Sequence, residues 1–185
     1  MSKMPPFPSA PLLGPDDPLP VECIRDDGSA AVVLICDHAS SAVPHALNGL
    51  GLPMNELRRH IGWDIGAAAV TRGLAERLGA PALLAGYSRL VIDLNRSPGD
   101  PSSIPIVSDG TTIPANQDLS DAAVQTRLNA LFWPYHHAVT EAVGRQWRRS
   151  GIPPAVIAIH SFTPEMSGIP RPWHVGVLWN HDPRL

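Results

Sequence analysis

Two apolar, β-branched runs, each closing on a histidine, constrain this chain more than any other feature. Ala31-Val32-Val33-Leu34-Ile35-Cys36 leads into Asp37-His38, and Ala155-Val156-Ile157-Ala158-Ile159 leads into His160-Ser161. Continuous apolar runs of this length read as strands buried on both faces, as in parallel sheets covered by helices. Such sheets open at the carboxyl ends of their strands into the crevice where ligands bind. Two strand-end histidines on one sheet can therefore converge on one metal ion or one substrate.

The remainder of the chain supplies the layers. The first 20 residues contain seven prolines and read as a disordered or surface-hugging arm, which leaves 21–185 as a single domain. Pro53 suits a first helical turn, and a longer helix is expected from about Asp64 to Leu78, with Ile65, Ala68, Ala69, Leu74 and Leu78 inward and Gly79 as its stop. Short strands are expected at about 82–86 and 89–94, then a long loop over 95–117. Val124, Leu128, Leu131, Phe132, Tyr135, Val139, Val143 and Trp147 repeat at helical spacing, with Pro134 expected to kink or split the helix. A final strand is expected at Trp173–Trp179. Alternating strands and helices predict a three-layer α/β/α fold with a mixed, largely parallel central sheet.

Composition removes several chemistries. The only lysine is Lys3, beside 13 arginines, so a Schiff-base lysine or a phosphate-loop lysine is missing from the predicted domain. No GxxxxGK[ST], GxGxxG or GxSxG motif occurs. A net charge of −3 gives no footprint for nucleic acid or an anionic membrane. Two cysteines, Cys23 and Cys36, are too few for a disulfide scaffold, which makes a reducing, cytoplasmic setting the default. Metal chemistry and arginine-based anion recognition remain.

Histidine is the commonest zinc ligand, and a catalytic zinc takes three protein ligands and keeps one position open. His38 and His160 are the candidate ligands; Asp64 and Asp37 are the options for a carboxylate beside them. Arg89, Asn95 and Arg96 form a second constellation at a strand's end, suited to gripping the carboxylate of an acidic small molecule; a structural pairing of Asp93 with Arg96 is the plainer alternative. His60 is close enough in sequence to help orient Asp64. His136 and His137 suit structural roles in the long helix, and the tryptophans suit core or interface, permitting a homodimer.

With these residues assembled, the chain resembles the N-formylglutamate amidohydrolase family. The resemblance rests on Cys36-Asp37-His38-Ala39-Ser40, His60-Ile61-Gly62-Trp63-Asp64-Ile65-Gly66-Ala67, Tyr87-Ser88-Arg89-Leu90-Val91-Ile92-Asp93-Leu94-Asn95-Arg96, Ile159-His160-Ser161-Phe162-Thr163-Pro164 and Trp173-His174-Val175-Gly176-Val177-Leu178, in family order. It implies a fold like that of zinc carboxypeptidases and aspartoacylases. It also implies a divalent metal, zinc by expectation, and hydrolysis of the amide of an N-acylated acidic amino acid, N-formyl-L-glutamate first, in histidine degradation. His38, Asp64 and His160 would then hold the metal, and Arg89, Asn95 and Arg96 the substrate carboxylate. Related peptidases carry a glutamate three residues after the first histidine, where this chain has Ser41. The family pattern also continues past the part matched here, so its C-terminal elements and usual base are expected to be missing, leaving Glu165 as the loop carboxylate nearest a candidate ligand. Two other readings stay open: a non-catalytic relative that binds an acidic metabolite, and a metal hydrolase of another acyl-amino acid or peptide.

Overall fold

The computed structural model describes residues 11–166 and 168–179; Lys3 and His181 lie outside them. In chain order the elements are β1 (Val21–Ile24), β2 (Val32–Cys36), α1 (Met54–Leu57), α2 (Ala67–Leu78), β3 (Ala82–Ala85), β4 (Val107–Ser108), β5 (Thr111–Thr112), α3 (Asp121–Arg127), α4 (Trp133–Ser150), β6 (Ala155–Ala158), β7 (Glu165–Met166) and β8 (Ile169–Pro170). The main sheet runs β1-β3-β2-β6, with β2 parallel to both neighbours and β1 antiparallel at one edge. It is the mixed, largely parallel sheet expected, and its β2 and β6 are the two apolar runs. Strand β2 is central and buried, but β6, expected to be buried on both faces, lies at the sheet edge with each residue partly exposed.

Alternation along β2 sends its side chains to two separate helical layers. Leu34 and Cys36 pack with Ala67 and Ala75 of α2, whereas Val33 packs with Leu83 of β3 and Ala142 of α4. The buried stripe of α2 is Ala67, Thr71 and Ala75, small residues that let the helix lie close to the sheet. Ile65 and Leu78, expected inward, are instead exposed. The helix starts at Ala67 rather than Asp64, because Gly66 just before it is left-handed, with φ of 85°; Gly79 ends it with a left-handed φ of 62°, as expected.

The long helical stripe forms three pieces: α3, a π-helical stretch at Leu128–Phe132, and α4 with Pro134 in its first turn. Proline has no N–H to donate, and the wider turn before it absorbs the break. Trp147, read into the buried stripe, is exposed.

Two expected strands do not form. Residues 89–94 are a buried turn, whose carbonyls at Leu90 and Val91 accept bonds from the side chains of Asn116 and Arg127. Residues 173–179 pair with no strand among the described residues, and Trp173, Val175, Val177, Leu178 and Trp179 are all exposed. Within the arm, residues 11–20 lie against the body: Leu12 is buried in the main core, and the Tyr87 hydroxyl donates to the Pro18 carbonyl.

Candidate metal centre

The parallel register decides which residues meet. β6 pairs with β2 through Ile35 and Ala158, and the Ile159 amide still bonds the Ile35 carbonyl; two residues further, His160 comes beside Asp37. His38 and His160 thereby leave neighbouring strand ends with ring centroids 5.1 Å apart. Asp64 joins them from the turn before α2, fixed by its amide's bond to the His38 carbonyl. Gly62 makes that turn sterically feasible, since a Cβ there would stand 2.2 Å from the Leu57 carbonyl oxygen.

His38, Asp64 and His160 thus present ligand atoms that lie within 4.8 Å of one another. Asp64 Oδ2 is 3.5 Å from His38 Nδ1 and 3.0 Å from His160 Nδ1. Ligands sharing a tetrahedral ion through bonds of ~2.1 Å sit roughly 3.4 Å apart. Asp37, the other carboxylate considered, is occupied differently: its Oδ1 accepts the Tyr135 hydroxyl at 2.6 Å, and its Oδ2 stands 3.7 Å behind His160 on the Nε2 side.

Around the triad lies a supporting set that the chain's spacing does not announce. His38 Nε2–H donates to Asp93 Oδ1 at 2.7 Å, and Arg89 donates to Asp93 Oδ2 at 2.8 Å while lying 3.5 Å from Asp64 Oδ1. The structural partner of Asp93 is thus Arg89, not Arg96 as in the alternative considered. Burial raises the Asp64 carboxyl, but the His160 and His38 imidazoles overcome it and hold the group well below the carboxylate range. Burial likewise works to raise Asp93, and the imidazole of His38 and charge of Arg89 bring it below its ordinary value. For His38, burial opposes protonation, but the Asp64 and Asp93 carboxylates prevail and raise the imidazole.

This set fits a cation on two counts. Among the described residues, His38 Nδ1 is the one fully buried side-chain polar atom left without a hydrogen bond, and it faces the triad. Asp37, Asp64 and Asp93 are three buried carboxylates, and Arg89 is the permanent cation bonded among them. An orphaned imidazole nitrogen in an acidic pocket matches the donor set of a divalent metal.

A family profile for N-formylglutamate amidohydrolase matches residues 30–185. The chain belongs to that family. A solved gene product of Agrobacterium tumefaciens is 36% identical to it, with a TM-score of 0.83 over 86% of this chain and 63% of that one. N-formylglutamate amidohydrolase from Ralstonia eutropha JMP134 is 26% identical, with a TM-score of 0.64 over 77% of this chain and 58% of that one. The chain therefore spans about three-fifths of the length of these two relatives. No curated protein matches it.

The remaining candidates fall outside the triad. Asn95 and Arg96 are exposed just past Asp93, which caps the Asn95 amide through Oδ1 at 2.9 Å. His136 holds the same loop by bonding the Leu94 carbonyl through Nε2 at 3.0 Å. Glu165 stands exposed on β7 and is not a member of the triad. His60 is turned toward Asp109, 3.4 Å away, rather than toward Asp64. Among the described residues no helix is long and apolar enough to cross a membrane.

Proposed function

We propose that this chain hydrolyses the amide of an N-acylated acidic amino acid, N-formyl-L-glutamate first, giving glutamate and formate around a zinc ion held by His38, Asp64 and His160. The observation that carries the reading is the orphaned, buried His38 Nδ1 facing Asp64 and His160 among an excess of buried carboxylates. When bound there, a divalent cation supplies Lewis-acid chemistry, polarising an acyl carbonyl and making water nucleophilic near neutral pH.

The chain's own residues prepare that position. Asp93 takes the Nε2 proton of His38 as a hydrogen bond and so directs the lone pair of Nδ1 into the site. Asp64 stays ionised through the physiological range. Arg89 ties Asp93 and Asp64 to one guanidinium, keeping both carboxylates in place while the site is filled or emptied. Asn95 and Arg96, exposed beside this cluster, offer an amide and a guanidinium fork to the carboxylate of an acidic substrate.

The test is formate release from N-formyl-L-glutamate by protein of measured zinc content. Turnover by the zinc-loaded protein, lost together with bound zinc in His38→Ala, is the expected result. Zinc-loaded protein that binds the substrate and releases no formate would favour the non-catalytic reading. Faster turnover of N-acetyl-aspartate or a short peptide would move the substrate class and leave the metal reading intact.

A further inference from the structure

Asp37 is a buried carboxylate that the proposed ligand set does not use. It lies at the end of β2, on the face of the sheet covered by α4. Its Oδ1 accepts the hydroxyl of Tyr135, a fully buried residue of α4, at 2.6 Å. That bond is short and charge-assisted, and the packed ring carrying the hydroxyl leaves the carboxylate little freedom to turn. Its other oxygen, Oδ2, is 3.7 Å from His160 Nε2, opposite the Nδ1 that meets Asp64.

We propose that Asp37, clamped by Tyr135, is the positioning residue for His160, as Asp93 is for His38. The inference rests on the metal reading above and adds to it. A histidine that offers Nδ1 to a metal carries its proton on Nε2, and an anionic acceptor on that side fixes both ring orientation and tautomer. His160 needs such a device more than His38 does, because its side chain is 33% exposed whereas that of His38 is 2% exposed. The two histidines are then held from different layers: His38 by the buried turn at 89–94, His160 by α4 through Tyr135 and Asp37.

Asp37→Asn tests this at constant size. The asparagine can still accept from Tyr135 through its oxygen, which turns its NH2 group toward His160 Nε2, so a donor faces a donor. The imidazole is then driven to place its proton on Nδ1, the ligand atom. The expected result is a zinc dissociation constant raised about 10- to 100-fold, measured by chelator competition. Tyr135→Phe, which keeps the ring and frees the carboxylate, should raise it about 3- to 10-fold. In zinc-loaded wild type, long-range 1H–15N spectra should show His160 protonated on Nε2.

Zinc bound equally by wild type and a folded Asp37→Asn variant would overturn the proposal and leave the metal site standing. So would a His160 proton on Nδ1 in the zinc-loaded wild type, a readout that needs no variant to fold. Wild type that binds no zinc would remove the metal reading itself, and this proposal with it.

Discussion

His38 and Asp93 are joined by a buried 2.7 Å hydrogen bond across 55 residues of chain, and that bond settles which nitrogen of His38 faces Asp64. Asp93→Asn should weaken it whichever way the amide turns. With its NH2 group toward His38 it opposes the Nε2 proton; turned the other way, it opposes Arg89 Nη2. Zinc affinity is expected to fall about 10- to 100-fold with the circular dichroism unchanged. Competition against a calibrated chelator measures it, and an unchanged dissociation constant in the folded variant would count against the assignment.

The strands that deliver the histidines were legible because each is an unbroken, β-branched apolar run, buried on both faces in β2 and half-buried at the sheet edge in β6, and His38 and His160 simply follow each run. Asp93 was not legible as the partner of His38. Nothing in Leu90-Val91-Ile92 distinguishes a strand from a buried turn whose carbonyls are bonded by side chains from α3 and the preceding loop. The inner stripe of α2 escaped for another reason: close packing on the sheet selects alanine and threonine, which carry little hydropathic signal. At 173–179 the apolar run was read as a strand, but a strand also needs a neighbour, and none of the described strands supplies one.

Arg89 balances two carboxylates at once, so removing its charge should matter most when no metal is present. Arg89→Met keeps the stem and deletes the guanidinium. Breaking a buried pair costs about 3–5 kcal/mol, and with the side chain 29% exposed a loss of about 2 kcal/mol is expected in metal-free protein. Zinc should restore much of that loss, because a divalent ion replaces the missing charge. Urea unfolding with chelator and with zinc tests it; equal losses in the two conditions would mean that Arg89 does not act through site charge.

The shifts of Asp64, Asp93 and His38 give a pH window for the metal-free protein. The two carboxyls are held below their ordinary values, so their contribution is present above the unfolded value of ~3.9 and is lost as pH falls through the folded value. His38 is raised, so its contribution is complete below ~6.5 and is lost as pH rises through its folded value. Maximum stability is therefore expected between about pH 4 and 6.5. Zinc should extend the upper limb, since ligation requires the neutral imidazole. Urea midpoints from acid to mildly alkaline pH measure both profiles, and metal-free stability still rising at alkaline pH would contradict the pairing.

Arg127 ties the fold to the site from a distance. Its guanidinium is buried, has no carboxylate partner among the described residues, and donates to the Val91 carbonyl at 2.9 Å, Asn116 Oδ1 at 2.7 Å and the Ala115 carbonyl at 3.1 Å. Burial pulls its pKa down to about 10, and Asn116 extends the network by donating to the Leu90 and Pro105 carbonyls. Together these bonds satisfy the turn that displays Arg89 on one side and Asp93 on the other. Arg127→Leu would strand three acceptors in the core, at an expected cost of about 3–4 kcal/mol. Arg127→Lys keeps the charge but offers a point donor instead of a planar fork, so an intermediate loss of about 2 kcal/mol is expected. Because the turn carries Asp93, zinc affinity should fall in the same order, lysine before leucine. A leucine variant as stable as wild type, or one that loses stability while binding zinc unchanged, would show that the turn is held by its apolar packing alone.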